Sequence, residues 1–223
     1  MKRICVFDVN ETLLDLKALD GPFERIFGQP GVRQQWFTQL LQSALVSTLT
    51  DAYVDFGTVA RAAFVMVARR NGREVTDADR DAILGAVRTL PPHPEVGVAL
   101  GRLRAAGFRL ATLTNSTEAV ARAQLEHAGL IDHFERTLSA DAVRRLKPAP
   151  EPYRMAAREL DVEIGAIRLV AAHAWDVAGA LRAGATAAFV ARPGLVLDPL
   201  APEPDVIGSD LADVAERIIA AET

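Results

Sequence analysis

Four residues with side chains suited to nucleophilic and acid–base chemistry stand at the ends of apolar segments or on the loops that follow them. They are Asp8, Thr114, Lys147 and Asp176. A single acid at the end of a strand is often only a turn or cap residue, but four such residues in this arrangement indicate a site. In an open α/β sheet, ligands bind outside the carboxyl ends of the strands. We therefore expect the four residues to converge on one pocket.

The apolar segments that must position these residues are short and rich in β-branched side chains. They are 3–8, 108–114, 167–172 and 186–191. Runs of this kind without alternation are typical of strands buried on both faces of a parallel sheet. Helical patterns follow at 118–128, 153–160, 177–183 and 211–221. Strands that alternate with helices predict an α/β fold with a doubly wound, Rossmann-like parallel sheet.

Residues 15–92 do not follow this alternation. Apolar residues recur there at helical spacing, and the segment contains no convincing strand pattern. Thr76 is followed by acids, which predicts a helix that begins after a threonine N-cap. We predict an all-helical cap at 15–92, inserted into a core domain formed by residues 1–14 and 93–223.

Composition excludes several functional classes. The 223 residues include 25 Lys and Arg against 29 Asp and Glu, a net charge of −4, so no basic excess favours nucleic acid or an anionic membrane as a partner. The longest small or apolar stretch, 183–191, is too short to span a bilayer. The single cysteine, Cys5, excludes an intramolecular disulfide and a cysteine-based zinc site. We expect a soluble, cytoplasmic protein with Cys5 buried in a strand.

The order of Asp8, Thr114, Lys147 and Asp176 resembles the haloacid dehalogenase (HAD) superfamily over essentially the whole chain. The resemblance implies that Asp8 is an aspartate nucleophile. Most of the superfamily are magnesium-dependent phosphatases, which carry further acids where this sequence has Asn10 and Ala172. Only two carboxylates then remain near a metal that prefers a full set of oxygen ligands, so we expect no metal and no other cofactor. The missing general acid also favours a leaving group that needs no proton, such as a halide.

Further positions resemble the type II L-2-haloacid dehalogenases. They are Arg33 in GVRQQW, Phe56 in YVDF, Tyr153 six residues after Lys147, and the sequence AWD at 174–176. The sequence departs from that family at Ala171 and His173, where Ser and Asn are frequent, and at Asn10 and Glu11, where the family pattern is Tyr-Gly. The resemblance implies metal-independent hydrolysis of short L-2-haloalkanoic acids to D-2-hydroxy acids through an aspartyl ester.

The resemblance also implies roles for individual residues. The predicted catalytic residues are Asp8, Thr12, Lys147, His173 and Asp176. The predicted substrate- and halide-binding residues are Val9, Asn10, Arg33, Phe56, Thr114, Asn115, Tyr153 and Trp175. Lys147 would keep Asp8 ionised, and Asp176, with help from His173, would be the base for ester hydrolysis. Arg33, Asn115 and Phe56 would hold the departing halide. The partners implied are a small halogenated carboxylic acid, water and a second copy of the chain, because family members are commonly homodimers.

Three alternatives stay open. The first is a small-molecule phosphatase with a weakened magnesium site, which magnesium-stimulated hydrolysis of p-nitrophenyl phosphate would favour. The second is a non-catalytic HAD-like binding protein, in which Asp8→Asn would leave every cellular readout unchanged. The third is the hydrolysis of another activated carboxylate derivative. Related folds host many reactions, so the fold alone does not decide among these functions.

Overall fold

A six-stranded parallel sheet forms the centre of the protein in a computed structural model that describes residues 2–222. In chain order the strands are β1 (Ile4–Phe7), β2 (Leu110–Thr114), β3 (Arg136–Ser139), β4 (Ile167–Ala171), β5 (Thr186–Val190) and β6 (Val206–Gly208). Their order across the sheet is β3-β2-β1-β4-β5-β6, and every neighbouring pair is parallel. This confirms the predicted α/β fold. The strand order reverses at β1, so the predicted ligand cleft lies at the carboxyl ends of β1, β2 and β4.

Nine α-helices accompany the sheet within residues 2–222. They are α1 (Asp20–Phe27), α2 (Val32–Leu49), α3 (Phe56–Arg70), α4 (Asp77–Val87), α5 (Val96–Ala105), α6 (Glu118–His127), α7 (Pro150–Glu159), α8 (Ala174–Ala183) and α9 (Leu211–Glu222). Helix α8 begins three residues earlier than predicted. Trp175 and Asp176 therefore lie in its first turn, directly after β4.

Helices α1–α4 all fall within the predicted cap, 15–92. They pack around an aromatic cluster in which Phe23 contacts Trp36 and Phe64, with ring centroids 5.3 and 5.7 Å apart. Thr76 is the N-cap of α4 as predicted, and it forms a capping box with Asp79. The division into a cap and a core at these boundaries stays a prediction.

The two chain segments that connect β1 to α1 and α4 to α5 run side by side. Leu14 and Pro92 form an antiparallel bridge. The backbone N–H of Asp15 donates to the Pro91 carbonyl at 2.9 Å, and that of His93 donates to the Leu13 carbonyl at 3.0 Å. We call this paired segment, 13–15 with 91–93, the connecting ribbon.

Cys5 lies in β1 and is fully buried and unpaired, as expected. Burial raises the pKa of its thiol to about 12, so it is a packing residue. Within residues 2–222, each helix is too short or too polar to cross a membrane. The cytoplasmic location stays a prediction.

Candidate active site

A lysine ammonium joins two carboxylates at the carboxyl edge of the sheet. Lys147 Nζ donates to Asp8 Oδ1 at 2.9 Å, to Asp176 Oδ2 at 2.6 Å and to the Leu113 carbonyl at 2.8 Å. Burial lowers the pKa of Lys147, but the charges of Asp176 and Asp8 more than offset it, and the pKa is raised overall. Lys147 therefore remains an ammonium ion, held in place by three acceptors.

Asp8 follows β1, and its second carboxylate oxygen is held by a neighbouring hydroxyl. Thr12 Oγ1 donates to Asp8 Oδ2 at 2.8 Å and accepts from the backbone N–H of Ala172 at 3.0 Å. Burial raises the pKa of Asp8, but the Lys147 charge and the hydrogen bond with His173 outweigh burial and hold the pKa well below its usual value. Asp8 is therefore ionised, fixed and 5 % exposed.

Asp176 is closed off from solvent on both of its oxygens. Oδ2 accepts from Lys147, and Oδ1 accepts from the Tyr153 hydroxyl at 2.5 Å. Burial raises the pKa of Asp176. The Lys147 charge lowers this pKa and the Asp8 charge raises it, and the pKa is raised overall. Asp176 has no exposed surface, so it orients Lys147 from behind.

A glycine in α8 permits this packing. A Cβ added at Gly179 would lie 2.6 Å from the Tyr153 hydroxyl oxygen and 2.6 Å from Pro148 Cβ. Both distances are shorter than real carbon contacts allow. Gly179 therefore lets α8 approach the segment that carries Lys147.

Asn115 locks the backbone of the lysine loop. Its Oδ1 accepts from the Lys147 backbone N–H at 2.7 Å, and its Nδ2 donates to the Lys147 carbonyl at 3.3 Å. Thr114 Oγ1 accepts from the Ser116 backbone N–H at 3.2 Å, which leaves the threonine hydroxyl hydrogen available to a ligand. The ends of β2 and of the lysine loop are thus joined beside Asp8.

A small cavity of about 20 Å³ lies against Asp8, and we call it the nucleophile cavity. Its other lining residues are Asn10, Phe37, Leu41, Phe56, Thr114, Asn115, Lys147, His173 and Trp175. His173 Nδ1 is 3.4 Å from Asp8 Oδ2, and the imidazole lies between two aromatic rings, with centroids 5.3 Å from Trp175 and 5.5 Å from Phe37. The indole N–H of Trp175 is buried and has no hydrogen-bond partner among the described residues.

Three predicted binding residues do not line the nucleophile cavity. Val9 is fully buried, and Tyr153 lies behind Lys147 against Asp176. Arg33 lines an adjacent, larger cavity of about 420 Å³, the arginine cavity, which shares the walls formed by Phe37, Leu41, His173 and Trp175. Arg33 Nε donates to Asp20 at 2.6 Å. Its contact with a halide thus stays a prediction.

Sequence analysis missed two residues that line the nucleophile cavity, Phe37 and Leu41. A signal for them exists, because Arg33, Phe37 and Leu41 are spaced four residues apart on α2 and therefore lie on one helical face. Both residues also belong to the apolar helical pattern of 15–92, which by itself predicts only packing. Because Arg33 is a predicted binding residue, the residues one and two helical turns after it, Phe37 and Leu41, are expected to face the same site.

The residues at the site do not fit a magnesium ion. Both oxygens of Asp176 are already engaged, by Lys147 and by Tyr153. Asn10 Oδ1, at the position of the second phosphatase acid, accepts from Gln124 Nε2 at 2.9 Å, and Ala172 offers no side-chain ligand. Within residues 2–222, no cluster of three or more His, Cys, Asp or Glu residues is arranged to hold a metal ion.

Comparison with known proteins agrees with this geometry. The family described as haloacid dehalogenase-like hydrolase matches residues 2–184. A curated relative, the (S)-2-haloacid dehalogenase of Pseudomonas sp. (strain YL), is 30% identical over 212 residues, which cover 94% of this chain and 91% of that protein. The chain belongs to the L-2-haloacid dehalogenase family of the HAD-like hydrolases.

Two further relatives are similar to this chain over most of its length. The haloacetate dehalogenase H-2 of Moraxella sp. (strain B) is 27% identical over 209 residues, covering 92% of this chain and 93% of that protein. A solved structure of the L-2-haloacid dehalogenase from Xanthobacter autotrophicus, with chloropropionic acid covalently bound, is 26% identical and covers 100% of both chains with a TM-score of 0.91.

Proposed function

We propose that this protein hydrolyses the carbon–halogen bond of short L-2-haloalkanoic acids to give D-2-hydroxy acids, without a metal ion, through an ester on Asp8. The curated relatives named as 2-haloacid and haloacetate dehalogenases support the substrate class. The observation that carries the proposal is an Asp8 carboxylate held by Lys147 and Thr12 at a site where Asn10 and Ala172 stand in place of the further acids of the phosphatases. The nucleophile is thus present without the additional carboxylates that would bind magnesium.

In the first step, a carboxylate oxygen of Asp8 attacks C2 of the substrate opposite the halogen. The C–O bond forms as the C–halogen bond breaks, the halide leaves with the electron pair, and C2 inverts. Because Lys147 and Thr12 fix the carboxylate, little freedom is lost on reaching the transition state. The Thr114 hydroxyl, the Asn115 amide and the backbone N–H groups that follow Asp8 bind the substrate carboxylate.

The halide leaves toward the side of the nucleophile cavity that adjoins the arginine cavity. The unpartnered indole N–H of Trp175 can donate to it, and the Phe56 ring lines the nucleophile cavity. Arg33 lines the arginine cavity, where a guanidinium among apolar walls suits a large, weakly hydrated anion. We therefore place Arg33 on the exit path of the halide.

In the second step, water attacks the ester carbonyl carbon of Asp8 and His173 takes a proton from it. The bond between that carbon and the substrate oxygen then breaks, the hydroxy-acid oxygen leaves with the electron pair and takes the proton back from His173, and the Asp8 carboxylate is restored. Both oxygens of Asp176 are occupied by Lys147 and Tyr153 and face away from solvent, whereas the His173 imidazole lines the nucleophile cavity next to Asp8. Asp176, the base expected from the sequence, is assigned here to positioning Lys147. An imidazole is the side chain that most often acts as a general base in enzymes.

Substrate entry requires movement of the cap. The nucleophile cavity has room for about one water molecule, so the described conformation is closed around Asp8. The connecting ribbon is the place where the cap would pivot. Closure then excludes bulk water during the attack on C2.

Chloride release from L-2-chloropropionate in excess EDTA tests the proposal. We expect turnover unchanged by EDTA and none in Asp8→Asn. His173→Ala should accumulate the covalent adduct on Asp8, detected by mass spectrometry of the intact protein. Magnesium-stimulated hydrolysis of p-nitrophenyl phosphate with no chloride release would contradict the proposal.

We also propose a homodimer formed through the cap. Four large apolar residues on α2 and α3 are more than a third exposed: Leu45, Val46, Leu49 and Met66. Contiguous exposed apolar surface commonly marks a protein interface. Light scattering should give twice the chain mass, and Leu49→Glu should shift it toward the monomer.

A further inference from the structure

A space of about 270 Å³ lies beside the nucleophile cavity and is not lined by Arg33, and we call it the side cavity. Three residues, Asn10, Phe37 and Phe56, line both the side cavity and the nucleophile cavity. The two spaces are therefore neighbours that share these side chains as walls. Nothing in the proposed reaction of a short substrate uses the side cavity.

The side cavity has apolar walls from both the cap and the core, and three charged residues, Asp55, Arg61 and Arg88, also line it. Trp36 and Leu40 of α2 and Leu84 of α4 line it from the cap, and Val120 of α6 lines it from the core. Trp36 donates its indole N–H to the Ala60 carbonyl at 3.0 Å, so this ring presents no unsatisfied donor. Apolar walls of this kind bind hydrocarbon.

Asn10, which lines both cavities, has a small side chain that is hydrogen-bonded to α6. Asn10 Oδ1 accepts from Gln124 Nε2 at 2.9 Å, and the same amide nitrogen donates to the Val87 carbonyl at 2.8 Å. Asn10 is thus held toward α6. This leaves Phe37 and Phe56 as the main barrier between Asp8 and the side cavity, and both are cap residues that move when the cap opens.

We propose that the side cavity binds the C2 substituent of the substrate, so that the protein prefers 2-haloalkanoic acids with an unbranched chain of several methylenes to those with a single methyl group. This inference rests on the proposed function, since it places C2 next to Asp8. Charged residues line both larger cavities, but the arginine cavity already has a role in the proposed reaction, because the departing halide leaves through it past Arg33.

The preference has an expected size. Burying one methylene contributes ~0.8 kcal/mol, or about a fourfold change in kcat/KM. L-2-Chlorohexanoate has three more methylenes than L-2-chloropropionate, so its kcat/KM should be about fiftyfold higher. Calorimetry should show a similar preference for hexanoate over propionate, two unreactive acids that report binding alone.

Two variants that fill the side cavity from opposite walls test its role. Leu84→Trp and Val120→Trp should each reduce the fiftyfold preference to below about fivefold, in kcat/KM and in binding. Val98→Trp is the matched control, because it places the same side chain on an exposed part of α5 outside the cavity. It should keep the preference.

The outcomes separate the two proposals. Absence of chain-length dependence in both rate and binding would overturn the side-cavity assignment, as would its loss in Val196→Trp, which fills the arginine cavity instead. If hexanoate binds more tightly and the filling variants abolish this, the assignment stands. Absence of halide release would then contradict only the proposed reaction.

Discussion

Replacing Lys147 by methionine should lower the free energy of unfolding by about 3–5 kcal/mol, the cost of removing one partner of a buried ion pair. The Lys147 and Asp176 side chains have no exposed surface, and that of Asp8 is 7 % exposed. Methionine is similar in length, so the substitution removes charge more than volume. Two carboxylates would then face each other without a counterion.

A second substitution identifies the cause of the loss. Lys147→Met combined with Asp176→Asn removes one of the two uncompensated charges and should recover about half of the lost stability. The double variant should still lack dehalogenase activity, because Asp8 no longer has its counterion. Lys17→Met, at an exposed lysine, is the matched control and should change stability by less than about 0.5 kcal/mol.

The pH dependence of the loss has a definite sign. In the wild type the pKa of Asp8 is lowered, so its contribution to stability is present above the unfolded pKa of about 3.9 and is lost as pH falls through the folded pKa. In Lys147→Met the buried carboxylates should have raised pKa values, so that variant loses stability as pH rises. The difference between the two proteins should therefore grow from about pH 4 to pH 7.

Urea unfolding followed by circular dichroism at both ends of this pH range measures the difference. A loss below about 1 kcal/mol at neutral pH would refute the reasoning, because it is the size expected of an exposed pair. A loss that is constant with pH would refute it too. Either result would mean that water reaches the Lys147 ammonium in the folded protein.

Three further predictions concern other parts of the site and the cap. Thr12→Val removes the hydroxyl that orients Asp8 and should lower kcat by about tenfold to a hundredfold with a nearly unchanged circular dichroism spectrum. Gly179→Ala forces a Cβ against the Tyr153 hydroxyl and should cost about 1–3 kcal/mol by thermal unfolding, together with most of the chloride release. Thr76→Ala, in the capping box of α4, should cost about 1 kcal/mol and leave kcat/KM for chloropropionate unchanged. An equal loss of activity in Thr76→Ala would contradict the separation of site and cap stability.

The strands that the sequence predicts are those buried on both faces. Every residue of β1, β2 and β4 is buried, and such strands produce the continuous apolar runs that identify them. Strands β3 and β6 were missed because they lie at the two edges of the sheet. Arg136 at the start of β3 is exposed, and Ile207 of β6 is 44% exposed. A short, half-buried edge strand has no pattern that distinguishes it from a loop.

The site residues that stand directly after strands could be predicted from the sequence. Asp8, Thr114 and the residues after β4 converge because parallel strands end at one edge of the sheet. The depth of each side chain was not predictable. Whether Asp176 faces the substrate or Lys147 depends on where α8 begins and on the close approach at Gly179, and both are set by tertiary packing.

The connecting ribbon has a consequence for how this architecture varies. The chain leaves the core at Leu14 and returns to it at Pro92, and these two residues are paired. The whole insertion is therefore attached to the core at one place. A cap of another size could replace this one without altering the register of the strands in the sheet. Substrate selectivity can thus diverge through the insert, while the residues that break the bond stay on the sheet.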